Sequence, residues 1–404
     1  MSSVSTDLKK ITWFLTHAVE NIYPSREALC ERLSSGKPLR IYNGIDPTGP
    51  TLHVGHSIPL RKLAELQELG HKVILLIGDF TAMIGDPTDK TATRKKLTRE
   101  EVLANCKLYK EQATHFLKFD GSNPAEFRFN SEWLAKMSFA DVVELASHFT
   151  VQQMMERDMF EKRMEEGKPI YLHEFMYPLM QGYDSVAMVV DIEIGGNDQT
   201  FNMLAGRTLM KEMKGKEKFV LTLRLLSDTT GKKMGKSEGN MLSLLDLPED
   251  MYGKVMSWTD EMIVPGFEIC TQKTEEEIIE VKTSLEEGAN PMQWKRFLAY
   301  QIVEGLRGED AAKQAAEQFT RVHSQGEIPE DVPEIRITHH ASLIDILIQA
   351  GLVESKTDAR RQIEQGGVRV DDQVATDGKI MIEPTKEWVL IKKGKRFFVK
   401  IIKG

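Results

Sequence analysis

Residues 39–78 read LRIYNGIDPTGPTLHVGHSIPLRKLAELQELGHKVILLIG. Leu39 to Asn43 is a short apolar run that predicts a strand. Gly44-Ile45-Asp46-Pro47-Thr48-Gly49-Pro50 is a turn-rich loop. From Val54 to Leu69 apolar residues recur at helical spacing, and Gly70 supplies a C-terminal stop. Lys72 to Gly78 is too apolar for a strand open to water on one face. Strand, helix and strand joined by short loops predict a parallel sheet built through right-handed crossovers.

The pattern continues outward. Residues 1–38 read as a helical preface, with an amphipathic helix from Ser25 to Leu33. Downstream, a long helix is expected over about 99–118, a strand at Glu126 to Asn130, and Met-rich helices over 139–185. A strand at Val189 to Ile194 follows, then Gly195-Gly196, a helix to about 213, and a strand at Phe219 to Leu223. The doubly wound part thus spans about 35–230, and its ligand is expected in loops at the carboxyl ends of the strands. Residues 245–325 read as helices only. Residues 326–340 carry two prolines and no periodicity, which predicts a linker. Residues 341–404 form a small α+β unit, with helices at about 342–350 and 356–365 ahead of Gly366-Gly367.

Composition bounds the function. The chain has 404 residues, 41% of them hydrophobic and 28% charged, with a net charge of -8. That is globular composition long enough for two or three domains. The 341–404 tail carries 12 Lys and Arg against 9 Asp and Glu. A basic end on an acidic protein is a candidate nucleic-acid contact. The cysteines, Cys30, Cys106 and Cys270, stand far apart and form no CxxC pair. That excludes a disulfide scaffold or zinc ribbon and fits a reducing compartment. The opening MSSVSTDLKK lacks an apolar signal core, and no run of about 18 apolar residues offers a membrane span. A cytoplasmic protein without a membrane anchor is expected.

Two constellations carry chemistry. His53 and His56 stand three apart at the predicted start of a helix and share a face. Backbone N–H groups and the positive end of the dipole lie there, and Gly55 removes a side chain between them. A nucleotide triphosphate suits that arrangement; a pair of surface histidines or half a metal site is the equal alternative when the stretch is read alone, although no further ligands at metal spacing lie near. Lys232-Lys233-Met234-Gly235-Lys236-Ser237 places close ammonium groups on a glycine-bearing loop that could wrap a polyphosphate; alone it reads as a solvated basic loop, and the combination with the histidine pair favours phosphate. One constellation follows the first strand and the other follows the last.

Together these stretches resemble known signatures. HVGH and KMGKS are similar to the HIGH and KMSKS motifs of class I aminoacyl-tRNA synthetases. GIDPTGPTLHVGH narrows the resemblance to the tyrosine and tryptophan subgroup. Tyr42, Tyr177 to Asp184 (YPLMQGYD) and Gly195 to Gln199 (GGNDQ) narrow it to bacterial-type tyrosyl-tRNA synthetases. SLIDILIQAGLVESKTDARRQIEQGGVRVDD resembles an RNA-binding domain first described in a ribosomal small-subunit protein. The resemblance implies an α/β fold. Its parts are a Rossmann-like catalytic domain over 1–230 with an inserted helical region at about 130–185, a lysine loop and α-helical anticodon-binding domain over 231–325, and an RNA-binding domain over 341–404.

The resemblance also implies roles. Tyr42 and Asp184 would bond the substrate's phenolic hydroxyl. Asp86, Tyr177 and Gln181 would hold its α-ammonium, and Gln199 would orient its carboxylate. Thr48, His53 and His56 would meet ATP, with Gly44 and Gly55 allowing close approach, while Asp46, Gly196 and Asp198 would line the adenylate. Lys233, Lys236 and Ser237 on one loop, with Lys90 and Arg94 on another, would face the departing pyrophosphate. By their own charge and placement, and not from the resemblance, Lys356, Arg360 and Arg361 are either RNA contacts or a solvated helix face, and Arg369 beside Gly366-Gly367 favours RNA. Implied partners are tyrosine, ATP with Mg²⁺, tRNA(Tyr) and a second copy of the chain, docked through the 130–185 region. No protein-ligated metal is expected. The chain departs from the pattern at Gly235, where the signature has Ser, and at Val54, where it has Ile. Asn43 and Glu193 carry no assigned role.

The chemistry suits these residue types. Amino-acid activation uses a carboxylate already ionised near pH 7, so no general base is needed. Positioning and charge stabilisation suffice, consistent with a chain lacking a Ser/His/Asp triad. Phenylalanine would leave Tyr42 and Asp184 unpaired; its rejection by tyrosyl-tRNA synthetases is the standard instance of that rule. The rival readings are a tryptophan-specific relative, an RNA-binding protein without catalysis, and another nucleotidyl-transferring enzyme of the same superfold. An indole offers no phenol oxygen to Tyr42 and Asp184. Intact HVGH and KMGKS speak against lost catalysis, and the basic tail speaks against the third.

Overall fold

The computed structural model describes residues 4–87, 97–227, 241–324, 332–353, 355–383, 388–394 and 397–404. The chain forms two compact units, Met1–Ala312 and Lys313–Gly404.

The first unit is organised by a six-stranded sheet. Its strands are β1 (Val19–Tyr23), β2 (Arg40–Ile45), β3 (Lys72–Ile77), β4 (Glu126–Phe129), β5 (Ile192–Gly196) and β6 (Phe219–Leu223), in the order β1-β6-β5-β2-β3-β4. β2 through β6 run parallel, as the 39–78 reading requires, and β1 pairs antiparallel with β6 at the edge. The expected helical preface therefore also holds a strand. VENIY alternates too weakly to announce it, and the free edge of β6 recruits it. Val73 to Ile77 are all buried, because helices cover both faces.

Strand order reverses between β2 and β5. These two pair only at Ile41–Ile192 and Tyr42–Glu193, then part towards their carboxyl ends. Asn43 sits just past that point, 5% exposed, and its Nδ2 donates to the Ile194 carbonyl at 2.8 Å. An amide side chain thus replaces a ladder bond and holds open the crevice where a doubly wound sheet binds ligands.

Three expected elements differ. The 99–118 helix is two helices, Arg99–Cys106 and Tyr109–Ala113. The break lets Tyr109 Oη donate to the Gly49 carbonyl at 2.5 Å and Gln112 Oε1 accept from the Leu52 N–H at 2.8 Å. Tertiary ties to the loop after β2 outweigh helix continuity. Residues 139–185 divide into helices Phe139–Ser147, Val151–Met155, Asp158–Glu165 and Leu172–Met188. Ser138 and Thr150 cap the first two through capping boxes. The strand expected from Val189 begins at Ile192, because Val189 closes the preceding helix in the left-handed region at φ 52°. Gly195 and Gly196 lie inside β5.

Among the described residues, 248–312 carry helices and no strand, as expected. The second unit has strands β7 (Glu334–Ile337), β8 (Ala341–Ser342), β9 (Val368–Val370), β10 (Gln373–Val374), β11 (Met381–Ile382), β12 (Val389–Lys393) and β13 (Phe397–Lys403). Its main sheet runs β10-β9-β12-β13-β7, and β8 pairs with β11. Helices Leu343–Gln349 and Lys356–Glu364 begin at Ser342 and Ser355, whose hydroxyls accept from backbone N–H groups. β7 runs parallel to β13 from Glu334–Lys400 to Ile337–Lys403. The stretch expected as linker therefore ends before β7. Ile335 and Ile337 belong to the unit's core, a role that the two preceding prolines and a short run conceal.

Candidate active site

The carboxyl ends of β2, β3 and β5 bring most of the expected residues together. Asp46 follows β2, and two hydroxyls donate to it: Tyr177 Oη to Oδ2 at 2.8 Å and Thr81 Oγ1 to Oδ1 at 2.7 Å. Gln199 Nε2 donates to Asp86 Oδ2 at 2.7 Å. The guanidinium of Arg157, from the inserted helical region, lies 3.8 Å from Asp86 Oδ1. Gln181 Nε2 donates to Glu193 Oε1 at 3.1 Å. Asp86, Tyr177, Gln181 and Gln199 are thus tied into one set of hydrogen bonds with Asp46, Glu193 and their neighbours at the strand ends.

Asp184 is buried on helix Leu172–Met188 and accepts from Trp133 Nε1 at 2.7 Å and Asn130 Nδ2 at 3.3 Å. Burial pushes its carboxyl well above the usual range, and those two hydrogen bonds pull the other way. Tyr42 is 1% exposed, and its Oη lies 3.1 Å from Ser185 Oγ. Burial, followed by the charges of Glu193 and Asp184, keeps its phenol protonated well above its ordinary value. Tyr42 packs in a cluster with Trp133, whose indole donates to Asp184, so the two expected phenol partners both meet this indole.

Carboxylates dominate the field here. Burial pushes Asp198 up, with the charge of Asp86 adding to it. Asp46 acts in the same direction on Asp184. A pocket in which several carboxylates oppose one another's ionisation is suited to a bound ammonium group.

The histidines form a built N-terminus. His53 is the N-cap of helix Val54–Glu68, and its Nδ1 accepts from the Gly55 N–H at 3.1 Å. His56 Nδ1 accepts from the His53 N–H at 3.1 Å, and the rings lie 3.9 Å apart. A backbone N–H only donates, so both Nδ1 atoms are lone pairs and both hydrogens sit on Nε2. Burial pushes His53 down to about 4 and His56 well below its usual value. At neutral pH the pair offers two N–H donors and no charge. A Cβ on Gly55 would lie 2.9 Å from the His53 ring, so this glycine serves the cap itself. Thr48 is exposed on the loop that follows β2.

Lys90, Arg94, Lys233, Lys236 and Ser237 lie outside the described residues. The chain just beyond the lysine motif is tied to the histidines: the Val54 N–H donates to the Leu242 carbonyl at 2.9 Å, and the Leu244 N–H to the Leu52 carbonyl at 2.8 Å. In the second unit Lys356, Arg360, Arg361 and Arg369 are all exposed. Lys356 faces Asp345 at 3.4 Å and Arg361 faces Asp358 at 2.5 Å.

Sequence reasoning missed Asn130, Trp133, Thr81, Gly78, Arg157, Ser185 and Lys218, and gave Glu193 no role. Glu193 was the legible one, since a carboxylate between Ile192 and Ile194 in a central strand needs a buried cation. Gly78 admits no side chain: a Cβ there would lie 2.0 Å from Asp46 Oδ1 and 2.4 Å from Thr81 Oγ1. Gly78→Ala is expected to push Asp46 off Tyr177, losing about tenfold in turnover at this site for about 1–2 kcal/mol of hydrogen bonding. Steady-state kinetics beside a melting curve check it; unchanged turnover would remove Asp46 from the site's working geometry.

The comparisons with known proteins agree with one another. The family described as "tRNA synthetases class I (W and Y)" matches residues 34–324, and "Tyrosine--tRNA ligase SYY-like C-terminal domain" matches 324–401. The tyrosine–tRNA ligase of Carboxydothermus hydrogenoformans is 44% identical over 411 residues, covering 98% of each chain. That of Thermotoga maritima is 46% identical over 94% of each. A C-terminally truncated mitochondrial tyrosyl-tRNA synthetase from Aspergillus nidulans superposes with a TM-score of 0.64 at 21% identity, over 80% of this chain and 94% of that one. An Archaeoglobus fulgidus tyrosyl-tRNA synthetase, solved with L-tyrosine, gives 0.59 at 22% identity over 77% and 100%. These structures share the fold.

Proposed function

The chain belongs to the class I tRNA synthetases of the tryptophan and tyrosine group, among the tyrosine–tRNA ligases, and we infer its reaction from that membership. It activates tyrosine with ATP to tyrosyl-adenylate and pyrophosphate, then transfers tyrosine to the 3'-terminal ribose of tRNA(Tyr). In the first step a carboxylate oxygen of tyrosine bonds to the α-phosphorus as the bond to pyrophosphate breaks. In the second, a ribose hydroxyl attacks the adenylate carbonyl and AMP leaves.

The observation that carries the substrate reading is Asp184, a carboxyl buried in an apolar stretch whose charge acts on the buried Tyr42 phenol. A phenolic O–H satisfies both. Tyrosine's α-ammonium is held by Asp86, Tyr177 and Gln181 in place of some of their bonds to Gln199, Asp46 and Glu193, and Gln199 turns to its carboxylate. ATP enters as its Mg²⁺ complex against Gly44, Thr48, Gly55 and the Nε2–H donors of His53 and His56. Asp46, Gly196 and Asp198 line the adenylate. Lys233, Lys236 and Ser237, with Lys90 and Arg94, face the departing pyrophosphate, where the four cations offset its growing charge and the hydroxyl donates a hydrogen bond. The tie between 52–54 and 242–244 supports that arrangement, because it anchors one end of the lysine segment at the histidine cap.

Residues 1–230 serve as the catalytic domain and the helices of 231–325 as the anticodon-binding part. The C-terminal unit holds tRNA through Lys356, Arg360, Arg361 and Arg369. Two copies associate through the inserted region, where Phe139 is 84%, Val151 71% and Leu172 81% exposed. Three free cysteines fit a cytoplasmic site of action. No helix among the described residues is long and apolar enough to cross a membrane.

The test is exchange of labelled pyrophosphate into ATP with each of the twenty amino acids. Tyrosine alone is expected to support it. Exchange with tryptophan, or with none, would refute the substrate reading.

A further inference from the structure

A lysine that the reaction does not require lies behind the phenol pocket. Lys218 precedes β6 and is 0% exposed. Its Nζ donates to Ser185 Oγ at 2.8 Å, to the Met203 carbonyl at 3.1 Å and to Glu193 Oε2. An ammonium group has three protons, and three acceptors take them. Gly206 makes the space, since a Cβ there would lie 2.5 Å from Nζ. The charge is therefore fixed in position, one hydroxyl away from Tyr42.

Donor counting then sets a direction. Ser185 Oγ accepts from Lys218 and has one proton to give. Tyr42 Oη lies at 3.1 Å and Glu193 Oε2 at 3.4 Å. Glu193 is already served on Oε2 by Lys218 and on Oε1 by Gln181. The contact to Tyr42 is the shorter of the two, and with the serine proton given there the proton of Tyr42 is free to point at a phenol. Across that pocket Asp184 is held as an acceptor, with Trp133 donating to Oδ1 and Asn130 to Oδ2. A phenol fits between them only as acceptor to Tyr42 and donor to Asp184. Were Tyr42 to donate to Ser185 instead, two acceptors would compete for a single phenol proton and one bond would be lost.

We propose that Lys218, acting through Ser185, sets the direction of the hydrogen bond that Tyr42 offers to the bound phenol, so that both are positioning residues for amino-acid selection. The proposal rests on the tyrosine reading of this pocket. The chain runs from Lys218 through Ser185 and Tyr42 to the phenol and ends on Asp184, every link donating in one sense. Phenylalanine would leave the last donor and the last acceptor unpaired, so the buried charge behind Tyr42 sharpens the choice.

The test uses the full-length chain in tyrosine-dependent pyrophosphate exchange, with phenylalanine measured as a competitive inhibitor. Ser185→Ala removes one hydroxyl and leaves the Lys218–Glu193 pair. It is expected to lower kcat/KM for tyrosine about tenfold and leave the KM for ATP unchanged. Phenylalanine, which never used the bond, is expected to keep its inhibition constant, so discrimination narrows by the same factor. Ser185→Thr, which keeps the hydroxyl, is expected to recover most of the loss. The double variant Lys218→Met with Glu193→Gln, which removes the charge without orphaning its partner, is expected to narrow discrimination as Ser185→Ala does. Should the double variant not fold, the two serine variants decide the matter. Unchanged tyrosine kinetics in Ser185→Ala, or equal weakening of tyrosine and phenylalanine, would overturn the proposal. Absence of tyrosine-dependent exchange in the unaltered protein would instead overturn the substrate reading beneath it.

Discussion

Asp184→Ala is expected to lower kcat/KM for tyrosine by roughly a hundredfold, the equivalent of about 2–3 kcal/mol for a hydrogen bond to a charged group. The KM for ATP is expected to move by less than about twofold, because the nucleotide side is built from other residues. The reasoning is local. Asp184 is 3% exposed, and its oxygens face Trp133, Asn130 and the pocket. Removing it leaves two donors and an incoming phenol without their acceptor. Asp184→Asn is the informative companion. It keeps the volume but presents an amide whose N–H₂ faces existing donors, so it is expected to recover little for tyrosine. Pyrophosphate-exchange kinetics, run beside a melting curve, separate this from unfolding. Equal losses for tyrosine and ATP would mean that Asp184 supports the whole site and does not read the phenol.

Removing the chain from residue 325 onward is expected to leave adenylate formation within about twofold and to lower tRNA charging at least tenfold, through the lost phosphate contacts. The cut belongs there and not at 341. β7, at Glu334–Ile337, is the edge partner of β13, and a truncation at 341 would leave a stray strand on the remaining chain. Replacing Lys356, Arg360, Arg361 and Arg369 together by alanine gives the finer measurement. The salt dependence of tRNA affinity is expected to flatten by roughly one unit of log–log slope for each phosphate contact removed. Lys356 and Arg361 already face Asp345 and Asp358, so their share is expected to be smaller than that of Arg360 and Arg369. Charging that survives the truncation would refute the assignment of the C-terminal unit to tRNA.

Much of this molecule is written locally. The apolar runs of β2, β3 and β6 and the stop at Gly70 lie within a few residues of where the structure places them, because a strand buried on both faces needs unbroken apolar sequence. The His53–Gly55–His56 spacing is equally local, as a helix cap is made within one turn. The breaks at Lys107 and Leu108 and the edge strand β1 are not local. Each depends on a distant surface, the loop after β2 in one case and the edge of β6 in the other.

The site divides along the same line. Residue types that chemistry demands in a motif, such as Tyr42, Asp86, Asp184 and Gln199, are visible in the string of letters. Their partners are not. Lys218 and Glu193 stand 25 residues apart, and Asp184 stands 51 from Trp133. Lys218, in Lys216-Glu217-Lys218, reads as a solvated charge until β5 and β6 lie side by side. Chain order thus settled which elements form and which motifs they carry, since those depend on neighbours. Parallel pairing and the close approach of helices Leu172–Met188 and Thr200–Lys214 settled which polar groups share a dry interior, since burial requires every donor and acceptor to find a partner wherever the chain brings one.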